Sequence, residues 1–123
     1  MNPTTEIDIA GQVSLACGAA VDRKAVNVRA LFLAAVTDFT DYFVICSGGT
    51  ERQVRAIAES VDKRLREEAG LRALHTEGLS HGRWVLMDYG DFVVHIFVDE
   101  MRDFYGLERL WSDAPDHTAQ LGQ

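Results

Sequence analysis

The sequence predicts a single α/β domain, one mixed β-sheet with packed helices. Three observations lead there. Residues 42–46 are an apolar run of strand length, followed by a Gly-rich turn and a long amphipathic segment, the order of a strand feeding a helix. Two more apolar runs, WVLMD and DFVVHIF, flank Tyr89 and Gly90 in the layout of a β-hairpin. The 123 residues are enough to bury a core without staples.

The elements follow in order. Residues 6–21 place Ile9, Val13, Ala16, Cys17 and Ala20 on one helical stripe. Residues 24–32 alternate through Val26, Val28, Ala30 and Phe32, which predicts a strand. After a polar break at 37–41, the run 42–46 suits a strand buried on both faces. Thr50 and Gln53 form a capping box, whose hydroxyl and amide serve backbone donors at a helix start. Val54, Ile57, Ala58, Val61, Leu65 and Ala69 then recur at helical spacing, and Gly70 provides the stop. Residues 71–75 predict a weaker strand and 76–82 a loop. After the hairpin, Asp99 is the expected N-cap of a last helix with Phe104, Leu107, Leu110 and Trp111 on its core stripe. Residues 1–114 make the domain, and 115–123 read as a flexible tail.

Residues 83–114 hold seven of the eleven aromatic residues, so the hairpin carries most of the information about function. With Tyr89 and Gly90 as a two-residue loop, Asp88 faces Asp91, Met87 faces Phe92, Leu86 faces Val93, Val85 faces Val94 and Trp84 faces His95. Side chains alternate across a strand, so Val85, Met87, Phe92, Val94 and Ile96 share one face, which reads as plain core. Trp84, Leu86, Val93, His95 and Phe97 share the other, rimmed by Asp88 and Asp91. Large rings with polar tips are the composition of a protein interface. Tyr105, with Arg102, Glu108 and Arg109, extends that surface.

Charge narrows the partners. Twelve basic against nineteen acidic residues give a net charge of −7, which gains little from phosphate neutralisation and suits a basic protein instead. The basic residues of 52–66 are interleaved with acidic ones, as on a solvated helix face. The longest apolar stretch is far too short for a membrane span, and the acidic start lacks the order of a secretion or transit signal, so a cytoplasmic location is expected. Cys17 and Cys46 stand alone and read as reduced thiols.

Few residues suggest chemistry. The turn 47–50 sits where a helix N-terminus can cradle an anion, but it lacks the Lys of a phosphate loop and the pattern GxGxxG, and a tight turn with a cap explains it. A nucleotidyltransferase would carry paired carboxylates on the strand after the helix, and LRALH has none. The four histidines show no metal-ligand spacing. His95, with no nucleophile nearby, reads as a contact residue. Neither cofactor, metal nor catalytic residue is expected.

The motif TDYFVICSGGTERQVRAIAESV, followed by WVLMDYGDFVVHIF and R-x-FY-x-LE-x-LW-x-DA, resembles the ribosomal silencing factor family, also called Iojap-like proteins. The resemblance runs over residues 6–114. Departures are slight: Thr50 stands where the family usually has Ser, and Ala25 at a usually acidic position. The resemblance implies an α/β protein similar to the nucleotidyltransferase fold without its activity. It implies a translation repressor that binds the large ribosomal subunit through its protein number fourteen and blocks joining of the small subunit. It also implies a possible homodimer. The matching contact positions are Trp84, Asp88, Asp91, His95, Phe97, Tyr105 and Glu108. A large-subunit assembly factor with the same partner is the alternative, and a residual nucleotide-binding transferase a more distant one.

Overall fold

A computed structural model describes residues 7–121. Its elements are α1 (Ile9–Asp22), β1 (Val26–Phe32), β2 (Tyr42–Gly48), α2 (Glu51–Ala69), β3 (His75–Glu77), β4 (Trp84–Asp88), β5 (Phe92–Val98), α3 (Asp99–Tyr105), α4 (Leu107–Leu110) and α5 (Thr118–Leu121). The strands form one mixed sheet in the order β1-β2-β5-β4-β3. Only β2 and β5, at its centre, pair in parallel; the other pairs are antiparallel. Both central strands are buried along their whole length, as their unbroken apolar runs require.

The α1 and α2 helices cover one face. Asp8 caps α1 by accepting from the Gly11 N–H at 2.8 Å, and the expected start at residue 6 lies outside the described residues. Small residues such as Ala16, Ala19 and Ala20 let α1 approach closely, and the Ser60 hydroxyl donates to the Ala19 carbonyl across the α1–α2 seam at 2.9 Å. The core here joins Val13 and Cys17 to Val54, Ile57, Val61 and Leu65, and to Val85, Met87, Phe92, Val94 and Ile96 of the hairpin. Those five hairpin residues are the face expected to be core.

At α2 the capping box is half altered. Thr50 Oγ1 accepts from the Gln53 N–H as expected, but Gln53 Oε1 accepts from Gly49 rather than from Thr50. The Gln53 amide also donates to the carbonyls of Arg23 and Lys24, tying the α1–β1 turn to the helix start. Gly70 ends α2 in the left-handed region at φ 65°.

Other expectations change as well, among them the Asp99 cap, since Asp99 is the first residue of α3 and Val98 stands at the cap position with no side-chain bond. The hairpin pairs Trp84 with Phe97, Leu86 with His95 and Met87 with Val94, two residues away from the register expected. The Tyr89 N–H donates to the Phe92 carbonyl at 2.9 Å, so the two-residue loop is Gly90–Asp91, with Gly90 at φ 86° in its first position. Moving a two-residue loop by one position shifts every pair by two, so each side chain keeps its face. The third strand begins at His75, where the expected one ended, because it pairs only with residues 86–88 of β4. The last helix is broken at Gly106, φ 61°, leaving Phe104 75% and Leu110 70% exposed instead of on a core stripe. Finally, residues 115–121 are no loose tail. Asp116 bridges to Leu31, the Phe32 N–H donates to the Pro115 carbonyl, and the His117 ring stacks on Phe32 at 4.9 Å.

β1 also departs from simple alternation. A bulge between Val26 and Arg29 puts Asn27 at φ 50°, so Val28, Ala30 and Phe32 face the helices while Val26 is 45% exposed.

Candidate protein-binding surface

The sheet's second face bears a smaller core. Leu31, Phe43, Ile45, Val93 and Phe97 pack there beneath Met101, Leu107, Trp111 and Ala114. The C-terminal segments cover this face only in part, and its uncovered side lies at β4. Strand alternation brings Trp84, Leu86 and Asp88 out there, each half-buried, while Val85 and Met87 point into the core.

Trp84 is the centre of a ring cluster. Its indole lies 5.0 Å from Phe97 and 4.5 Å from Tyr105, measured between ring centroids. Its Nε1–H donates to His95 Nδ1 at 3.1 Å. That bond sets the tautomer, since a nitrogen that accepts carries no proton and the hydrogen must sit on Nε2. Burial pushes the His95 pKa down to about 4, so the ring is neutral and Trp84 keeps its acceptor. The contacts continue from His95 to Phe43 at 4.4 Å, from Phe43 to Trp111 and from Trp111 to the exposed Phe39. Beside Trp84 lies a groove of about 220 Å³ lined by Glu77, His81, Arg83, Trp84, Leu86 and Tyr105.

Of the expected contact residues, Trp84, His95, Phe97 and Tyr105 are together. His95 and Phe97, however, are 3% and 0% exposed, so they hold the cluster from below. Tyr105, 44% exposed, and the half-buried Trp84 form the part that a partner can reach. Asp88 and Asp91 sit at the hairpin tip, roughly 13 Å along β4 from Trp84 at the usual rise per residue. Asp88 accepts from the Gly90 N–H at 2.8 Å and shapes the turn. Glu108 is held in an ion pair with Arg102 at 2.8 Å.

Arg102 is the residue least valued from the sequence. Expected on the surface beside Tyr105, it instead lies buried with all its donors used, and no local pattern marks it, because its acceptors sit on β1, β2 and α4. At the turn 47–50, the Gly49, Gln53 and Val54 N–H groups already bond to Gln53, Thr50 and Thr50, which leaves fewer donors for an anion. β3 carries one carboxylate, Glu77, bonded to His75 at 2.6 Å. Among the described residues no three His, Cys, Asp or Glu side chains are grouped as a metal site needs, and no helix is long and apolar enough to cross a membrane. Burial raises both Cys17 and Cys46 to a pKa of about 12, so the thiols stay protonated.

Fold and surface define a small mixed α/β domain whose distinguishing feature is an aromatic cluster on a sheet, braced from beneath. Comparison with known proteins is specific. The family described as "Ribosomal silencing factor during starvation" matches residues 6–122. A ribosomal silencing factor of Halalkalibacterium halodurans is 44% identical over 103 residues, 84% of this chain and 87% of that protein. One from Bacillus subtilis is 41% identical over 84% of this chain and 86% of its own length. A crystal structure of a Chromobacterium violaceum protein superposes with a TM-score of 0.83 at 36% identity, covering 86% of this chain and 88% of that one. The chain belongs to the ribosomal silencing factor family.

Proposed function

We propose that the protein represses translation by binding the large ribosomal subunit, through that subunit's protein number fourteen, and sterically blocking the small subunit. Family membership supports the ribosome as partner. The observation that selects the surface is the Trp84–Tyr105 pair, two packed rings beside a groove on a rigid strand. Aromatic side chains anchored this way lose little entropy on binding and dominate interface energies. Leu86 and Asp88 continue the surface along β4, Asp91 and Glu108 add charge at its rim, and His95 and Phe97 position the rings. The net charge of −7 favours a basic protein over RNA.

The repression acts by occupancy and needs no turnover. Co-sedimentation with separated subunits at physiological salt will show binding to large subunits and little to small subunits or naked ribosomal RNA. Light scattering will show subunit joining blocked in proportion to occupancy, saturating near about one copy per large subunit. Tight binding to RNA fragments alone, or inhibition at catalytic amounts, overturns this reading.

A further inference from the structure

Arg102 is 8% exposed, and each of its five N–H groups has an acceptor. Nε donates to Glu108 Oε1 at 2.8 Å, and Nη2 to Glu108 Oε2 at 3.2 Å and the Asn27 carbonyl at 2.7 Å. Nη1 donates to the Val26 carbonyl and to Ser47 Oγ, both at 3.2 Å. One planar fork therefore ties α3 to α4, to β1 and to β2. The β1 bulge serves it: with Asn27 at φ 50° between the paired Val26 and Arg29, the carbonyls of Val26 and Asn27 both meet the guanidinium.

Burying a charge and holding Asn27 in the left-handed region both cost free energy, and a buried ion pair returns little net stability relative to an apolar replacement. Such an arrangement specifies geometry better than it stabilises. α3 needs that geometry. It has seven residues, no side-chain cap and an exposed Phe104, and its other apolar residue facing the sheet is Met101. Arg102 lies one turn before Tyr105, so the fork that fixes the rotation of α3 also sets the Tyr105 ring against Trp84.

We propose that Arg102 is a positioning residue for the partner-binding surface, holding Tyr105 on Trp84 through its links to Glu108, Ser47 and the β1 bulge. This rests on the Trp84–Tyr105 face being the contact surface. The test is a double-mutant cycle in the full chain with Arg102→Lys and Tyr105→Ala, titrated against isolated large subunits. Near-ultraviolet circular dichroism of the free proteins reports the ring cluster. Arg102→Lys keeps the charge but gathers its donors on one nitrogen and loses the planar fork, and will weaken binding about tenfold. The double variant will bind no more weakly than Tyr105→Ala, since both changes remove the same interaction. Losses that multiply instead mean that Arg102 acts elsewhere, which overturns the proposal. If Tyr105→Ala is weakened while Arg102→Lys binds like the parent, the positioning role falls and the surface stands. If Tyr105→Ala binds like the parent, the surface reading falls, and the aromatic dichroism decides for Arg102: a band unchanged in Arg102→Lys overturns positioning. Should the lysine variant not fold, Ser47→Ala, which removes one acceptor and leaves the ion pair, gives the same comparison at smaller amplitude.

Discussion

His95 shows how one residue's environment sets a measurable property. Its ring is buried, accepts from Trp84 and leaves Nε2 without a hydrogen-bond partner. The folded state therefore resists the proton that the unfolded chain takes up below its ordinary pKa of 6.5. Stability from this group is complete above pH 6.5 and is lost as pH falls toward about 4, where the folded ring protonates. From that shift the loss reaches roughly 3 kcal/mol. Urea titrations at stepped pH will show a stability slope in this window that His95→Gln lacks, since an amide can accept from the indole without titrating. Equal slopes in both proteins would mean that His95 is not held neutral. The same bond complicates Trp84→Ala, which removes a ring of the proposed contact surface and also packing on Phe97. Tyr105→Ala, at an exposed position, is the cleaner probe of partner binding.

Among the elements, the β3–β4 connection is the most constrained. Gly78 has φ 92°, and a Cβ there would lie 1.9 Å from the Trp84 carbonyl oxygen. Both obstacles are backbone and cannot be relieved by a side-chain rotation. Gly78→Ala will cost about 3 kcal/mol or more, combining strain with overpacking. Gly70 is also left-handed, at φ 65°, but nothing lies within 4 Å of its added Cβ. Gly70→Ala will therefore cost only about 1 kcal/mol, the conformational strain alone. Denaturant midpoints of the two variants check the ranking, and Gly78→Ala will also disturb the groove beside Trp84. Two costs of equal size would mean that the connection yields where the geometry says it cannot.

At the scale of the whole molecule, residues 115–121 close the outer edge of the sheet. The Ala30 N–H donates to Thr118 Oγ1 at 3.0 Å, the Ala30 carbonyl accepts from the His117 N–H, and Arg29 pairs with Asp116 at 3.0 Å. An open edge strand invites pairing with other chains, and this segment takes up the free groups of β1. Asp116 also accepts from the Thr118 N–H at 2.9 Å, so it shapes the segment as well as anchoring it. Asp116→Ala will speed amide exchange at Ala30 and Phe32 while leaving β2 and β5 amides protected. Its cost in global stability will be only about 0–1 kcal/mol, because the ion pair is exposed. Uniform acceleration across the sheet would mean that the segment supports the core rather than its edge.

The sequence by itself determined what repeats over short distances. Helical spacing and a capping residue placed α2, and strand alternation separated Val85, Met87, Phe92, Val94 and Ile96 from Trp84, Leu86, His95 and Phe97. That division survived a wrong loop position because a two-residue loop preserves the faces wherever it falls. What only the tertiary structure decided depends on partners distant in the chain. The hairpin register follows β5, which is set by its parallel pairing with β2 from Tyr42 opposite Phe92, and by the Asp91 carbonyl accepting from the Asp41 and Tyr42 N–H groups. The burial of His95 and Phe97 depends on how far α3 and α4 reach across the sheet. The role of Arg102 depends on two carbonyls some 75 residues away. Local pattern carries the period of a side chain along its own element, whereas depth and bonding partners exist only once separate elements have met.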